Sequence, residues 1–290
     1  MKRRTVIRTT LIALFCVGGY VAGRTSGPGL GSTEKQVPTR PPASARAALT
    51  AALRADTRTG PDHSATALTW NWGGYAVTSG GFGGPDDTIF TAASGTWRIP
   101  KVTCPQAGTR GVGAEDTIVA DWVGLDGFND MTVEQLGTSS QCFNGHAYYY
   151  TWYEMYPNAT VSPGQDFPIA QLASAGDTVT ASITTTVDGD AYKMVLTDTQ
   201  HPAVSFNVTR NCDYCSDSSA EWVVERPAYG IGVVPEADFQ RTTFSNIRYT
   251  SDGANHGYVM DTIDATDTYY LQVSSQPRNH SFTSEWKGSY

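Results

Sequence analysis

Positive charge is scarce over most of this 290-residue chain: residues 67–290 carry ten Lys and Arg against 25 Asp and Glu. A surface that acidic repels phosphate backbones, whose sequence-independent recognition needs the opposite sign, so nucleic acid is excluded as a partner. Long apolar runs are absent too. None reaches the roughly 18 residues that a membrane-spanning helix needs. The chain holds no G-x-S-x-G elbow, no H-E-x-x-H, no P-loop and no G-x-G-x-x-G, which removes four common catalytic and cofactor signatures. Asp-Thr-Gly and Asp-Ser-Gly are missing as well, and with them the paired-loop aspartic proteinase pattern. None of His63, His146, His201, His256 and His280 sits near another in sequence. No metal cluster is legible, and no cofactor is expected.

The missing positive charge is concentrated in the first 66 residues, where ten Lys and Arg face three acids. Met1 to Arg8 is basic, Leu11 to Val17 is apolar, and small residues follow. That is the pattern of a secretory signal peptide, set at 1–23, with a short membrane anchor as the rival. Arg3-Arg4 leaves the export route open. Residues 24–68 read as a propeptide or linker. It has a Gly/Pro/Ser-rich start and one helix signal at 43–54, where Leu49 and Leu53 lie four apart. Its basic charge ahead of an acidic body suggests release in acid, where the carboxylates that hold it become protonated. Secretion to the extracellular space follows, without stable membrane association once the leader is gone, and a monomer is expected. Cys16 leaves with the leader. The other four cysteines allow three pairings, of which Cys104–Cys142 and Cys212–Cys215 are favoured over a zinc half-site at Cys212 and Cys215.

From about residue 69 to 290 the texture changes. Short runs of Val, Ile, Thr, Tyr and Trp, such as Thr178 to Val187, alternate with Gly/Asp/Asn/Pro turns. This rhythm predicts an all-β domain, an antiparallel β-sandwich or barrel. Strand alternation places Tyr148, Tyr150, Trp152, Glu154 and Tyr156 on one face. It also sets Glu221, Val223 and Glu225 opposite Ala220, Trp222 and Val224, the latter plainly core. Trp122, Gly124 and Asp126 fall on one side, and Gln135 shares a face with Val133 and Met131. Aromatic residues around a carboxylate suit a groove for an extended polymer, although a plain core face with a polar rim has the same pattern.

Five segments occur in order: Asn71-Trp72-Gly73-Gly74, Trp122-Val-Gly-Leu-Asp-Gly127, Gln135, Trp152-Tyr153-Glu154 and Ala220-Glu-Trp-Val-Val-Glu225. Together they resemble the glutamic peptidases, the eqolisin family, over about residues 70–286. The resemblance implies a concanavalin-like sandwich of two antiparallel sheets whose concave face takes a polypeptide. It implies a catalytic pair, Gln135 and Glu225, with Trp72, Trp122, Asp126, Trp152 and Glu154 along the groove, to which strand alternation adds Tyr156 as a substrate-binding candidate. Fungal members of the family carry an acidic and then an aromatic residue after the glutamate, whereas Arg226-Pro227 follow here.

The pair also makes chemical sense apart from the family. In acid a histidine is protonated and cannot act as base, whereas a carboxyl with a pKa near the working pH can take and return a proton. An amide keeps its N–H donors at every pH and can stabilise an oxyanion. Two rivals use the same residues: a glycoside hydrolase with two carboxylates such as Glu154 and Glu225, and a glycan-binding sandwich without catalysis. The shortage of Lys and Arg in the body also predicts greatest stability on the acid side.

Overall fold

The computed structural model describes residues 64–79, 88–105, 117–128, 130, 132–143, 145–156, 173–185, 191–212, 215–229, 232–253, 255–264 and 269–288. The expected leader, the helix at 43–54 and the propeptide up to residue 63 lie outside the described residues. The strands are β1 (Ser64–Thr69), β2 (Trp72–Ser79), β3 (Phe90–Arg98), β4 (Thr117–Leu125), β5 (Val133–Phe143) and β6 (His146–Tyr156). They continue with β7 (Thr178–Thr184), β8 (Ala191–Asp198), β9 (Phe206–Asn211), β10 (Ser219–Glu225) and the short pair β11 (Ala228–Tyr229) and β12 (Gly232–Val233). The last are β13 (Arg241–Ser251), β14 (Asn255–Ile263), β15 (Tyr270–Ser274) and β16 (Phe282–Trp286). A single 3-10 turn, Pro202–Val204, is the one helical element among the described residues.

The fold is all-β, as the texture predicts. In β7, Val179, Ala181 and Ile183 are buried while Thr178 and Thr180 face solvent, the period-2 signature of a half-buried strand. Thirteen strands run in the order β6-β5-β4-β10-β2-β14-β15-β16-β13-β3-β7-β8-β9, and β1 adds to β14 in parallel. All other pairings of these strands are antiparallel.

The two sheets of the expected sandwich are therefore halves of one hydrogen-bonded sheet folded over on itself. Strand β13 is the joint. Its first four residues pair with β16 and its remainder with β3, and the register shifts between Ser245 and Arg248. Asn246, at φ 53°, sits at that shift. Asparagine tolerates the left-handed region better than most residues, so the strand can bulge and bend there.

The main core lies between the layers. Val123, Leu136, Trp222 and Val224 from one half meet Ala181, Ile183, Met194 and Leu196 from the other, with Phe244 at the joint. Full burial of such a side chain contributes about 1.5–3 kcal/mol. Trp222 is completely buried, with its indole N–H donating to the Ser94 carbonyl at 2.8 Å. The two favoured disulfides, Cys104–Cys142 and Cys212–Cys215, both form. The first closes a span of 38 residues, which in the chain-entropy view stabilises by about 4 kcal/mol.

Candidate active site

Because Ala220, Trp222 and Val224 of β10 enter the main core, Glu221, Val223 and Glu225 project from the opposite side of the same layer. Register fixes what shares that side. Glu225 pairs with Ala120 of β4 and Trp72 of β2, and Val223 pairs with Trp122. Trp122 is opposite Gly137 of β5, which is opposite Trp152 of β6; Gly124 is opposite Gln135, which is opposite Glu154. Directly paired residues lie on one face, and so do residues two apart. Trp72, Trp122, Gln135, Trp152, Glu154 and Glu225 thus share one surface of four adjoining strands and β2. A side chain at Gly137 would meet the Asp121 carbonyl at 2.2 Å and Trp122 Cβ at 2.6 Å, so only glycine leaves room beside that indole.

Hydrogen bonds hold each member of the pair. Trp122 Nε1 donates to Glu225 Oε2 at 2.7 Å, and Asn71 Nδ2 donates to Glu225 Oε1 at 3.2 Å. The Asn71 carbonyl also accepts from the backbone N–H of Arg226 at 2.8 Å, so Asn71 grips the end of β10 twice. Gln135 Nε2 donates to Glu154 Oε2 at 2.8 Å, while Gln135 Oε1 finds no partner. The rings of Trp72 and Trp122 meet edge to face with centroids 4.9 Å apart. Sequence marks Asn71 only as the neighbour of Trp72; its grip on Glu225 emerges with the fold.

Burial is the largest influence on Glu225 and pushes its carboxyl well above the usual carboxylate range. The Trp122 N–H opposes this, the negative charge of Glu154 adds to it, and Trp72 and Asn71 oppose it more weakly. Gln135 and Glu225 are both fully covered, at 0% exposure. The face expected to form an open groove is instead packed with Trp72, Phe128, Trp122, Trp152, Tyr258 and Met260. Ala65 and Ala67 of β1 join the same cluster. These two positions precede residue 69, within the segment read as propeptide.

Asp126 is not brought to the pair by a hydrogen bond of its own. Its φ of 67° breaks the strand alternation. Its oxygens accept the backbone N–H groups of Ser216, Asp217 and Ser218 at 2.8, 3.0 and 2.6 Å. Burial raises its pKa first, and the charge of Asp217 adds to that. Tyr156 ends β6 opposite Val133 and packs, half-buried, against the aromatic cluster. Met131, expected to share the face of Gln135, lies outside the described residues. Arg226 is one step out of phase with Glu225. Its guanidinium interacts with Glu236 and Asp264, and its Nε donates to the Val234 carbonyl at 2.9 Å.

Residues 70–286 match the Peptidase A4 family. This chain belongs to it. The peptidase A4 family is the glutamic peptidase family that the five segments resemble. Aspergillopepsin-2 of Aspergillus niger is 29% identical over 201 residues, covering 64% of this chain and 66% of that protein, just under two thirds of its length. The crystal structure of Scytalido-glutamic peptidase with a peptide based transition state analog superposes with a TM-score of 0.55 at 20% identity. It covers 75% of this chain and 98% of that one. This likeness speaks for the fold of the peptidase A4 chain, and the family match for its class as a hydrolase.

Proposed function

We propose that this peptidase A4 chain is an exported endopeptidase that cuts polypeptides with Glu225 as general base and acid and Gln135 as oxyanion donor. The supporting observation is that the two side chains share one face, each fixed by its own partner. Ionised Glu225 takes a proton from water as the oxygen attacks the scissile carbonyl. Gln135 Nε2 gives one hydrogen to Glu154 and keeps the second for the developing oxyanion. Its Oε1, without a protein partner, can accept from the attacking water. Glu225 then returns the proton to the leaving nitrogen as the C–N bond breaks. Glu154 orients the amide in this scheme, which gives it a task other than that of a second glycosidase carboxylate. Trp72, Trp122, Trp152 and Tyr156 would contact the bound chain, with Asp126 holding the end of β4 from behind.

While the face is covered, burial holds the Glu225 carboxyl above the ordinary carboxylate range, so the base form is scarce in acid until opening of the face readmits water and lowers that pKa. A peptide also needs the covered face to open. Loss of residues 24–68 would remove β1 with Ala65 and Ala67 from the packing around Trp72 and Trp122, and this is the activation we assign to the propeptide. Two disulfides fit the oxidising compartment that a leader would reach.

Gln135→Ala is expected to lower kcat on a denatured protein substrate by about 100- to 1,000-fold, with KM little changed. The assay is run on matured enzyme at acidic pH. A variant within tenfold of wild type would remove Gln135 from the chemistry.

A further inference from the structure

A second polar group lies in the other layer of the sandwich. Asp177 stands in the turn before β7, Asp198 is the last residue of β8, and His201 precedes the 3-10 turn. A carboxylate oxygen of each aspartate and a ring nitrogen of His201 all lie within 4.8 Å of one another. His201 Nδ1 is 2.6 Å from Asp177 Oδ2, which also accepts from the Ser174 backbone N–H at 2.7 Å. Asp198 Oδ1 accepts the N–H groups of Gln200 and His201 at 2.8 and 2.9 Å. Its other oxygen, Oδ2, has no hydrogen-bond partner although the residue is only 1% exposed. A buried carboxylate oxygen with no donor calls for an ion or a water.

The three positions are set by backbone rather than by chance side-chain reach. Asp177 is pinned through its carbonyl to the Ile99 N–H at 2.9 Å, and the neighbouring Gly176 N–H bonds the Ile99 carbonyl at 2.8 Å. The Asp198 N–H donates to Ser205 Oγ at 2.8 Å. The His201 side chain is 44% exposed and gives solvent a way in, whereas that of Asp177 is 8% exposed.

We propose that Asp177, Asp198 and His201 form a divalent-cation site of the zinc class that clips three segments of this layer together. Two carboxylates and one imidazole suit Zn²⁺, with water completing a tetrahedron. Ca²⁺ and Mg²⁺ favour all-oxygen shells. Ligand atoms around tetrahedral zinc stand about 3.3 Å apart, so the 2.6 Å pair opens by less than one ångström. Spacing alone hid the group, since Asp177 is remote in sequence and only Asp198-x-x-His201 is local.

The test uses full-length protein stripped with a chelator and dialysed against ZnCl₂ at pH 6.5, with bound zinc and Tm measured together. Wild type is expected to retain one zinc per chain. Its Tm should rise by about 5 °C or more when zinc exceeds Kd a hundredfold. Asp198→Asn keeps the Oδ1 acceptor and is expected to fold with a near-normal metal-free Tm while losing at least tenfold in zinc affinity. His201→Ala should lose as much. Zinc retained equally by Asp198→Asn, an unmoved Tm in wild type, or an equal shift with MgCl₂ would each overturn the proposal.

Discussion

Glu225→Gln is expected to fold normally and to lose at least about 1,000-fold in kcat, within the range that a general base contributes. The substitution keeps shape and removes only the ability to carry a proton. An amide at this position still accepts from Trp122 Nε1 through its oxygen. Its NH₂ then faces Asn71 Nδ2, a conflict that Asn71 resolves by turning its amide, because Asn71 Oδ1 has no other partner. The stability of the variant follows from the same burial. A carboxyl whose folded pKa is raised is harmless in acid, where it is neutral, and costs stability as pH climbs through that pKa. Glutamine escapes this cost, so the variant's Tm at pH 6–7 should equal or exceed that of wild type. Assays of hydrolysis and of Tm on the same preparation check both halves. Activity within tenfold of wild type would refute the role, and a Tm well below wild type at pH 7 would refute the electrostatic reading of the pocket.

Stability should fall steeply between about pH 4 and pH 8. Burial pushes Asp121 up to about 7 and Glu236 up to about 8. Arg226 holds Glu236 down while the charge of Asp121 pushes it further up. Both residues are essentially unexposed, and none of their four carboxylate oxygens has a hydrogen-bond partner. Asp217 and Asp261 are raised to about 6, again chiefly by burial. Glu134 and Glu221 are shifted upward by burial and by the charges of Asp126 and Asp130.

Every one of these groups is raised, so each supports the fold while protonated below its unfolded value near 4 and opposes it above its folded value. Even a tenfold loss of acidity at each of five such carboxyls amounts to about 7 kcal/mol, comparable to the whole stability of an ordinary domain. The Tm is therefore expected to drop by more than 10 °C from pH 4 to pH 8. Asp121→Asn removes one of the buried ionisations, and its Tm should fall several degrees less over that interval. A Tm that climbs steadily across the range would contradict the burial of these carboxyls as neutral acids.

Much of the site was legible because strand parity survives folding. Once Trp222 and Val224 read as core, Glu225 had to face away from them, and pairing through Gly124 and Gly137 carried Gln135 and Trp152 to the same surface. The same parity turns Arg226 to the other side of the strand, where Glu236 and Asp264 meet it, so the departure after the glutamate does not place its charge on the pair. Asp126 was not legible, since a left-handed φ at the strand end cancels the alternation that placed it beside Trp122.

The join at β13 left no mark either. A register shift at Asn246 lets β13 pair with β16 and then β3, joining two expected sheets into one; a lone asparagine within a strand run is compatible with a bulge but does not say which strands it joins. The aromatic side chains did show in the sequence, but whether they floor an open groove or fill it depends on what packs over them. Here Phe128, Tyr258 and the alanines of β1 belong to the same buried cluster as the tryptophans.

The most direct test of Glu225 and Gln135 as one catalytic unit is a double-mutant cycle on kcat, with Gln135→Ala, Glu225→Gln and the double variant measured on matured enzyme. Residues that serve one transition state lose activity non-additively. The double variant should therefore be about as slow as Glu225→Gln alone. Losses that multiply in full would show two independent contributions and contradict a shared site.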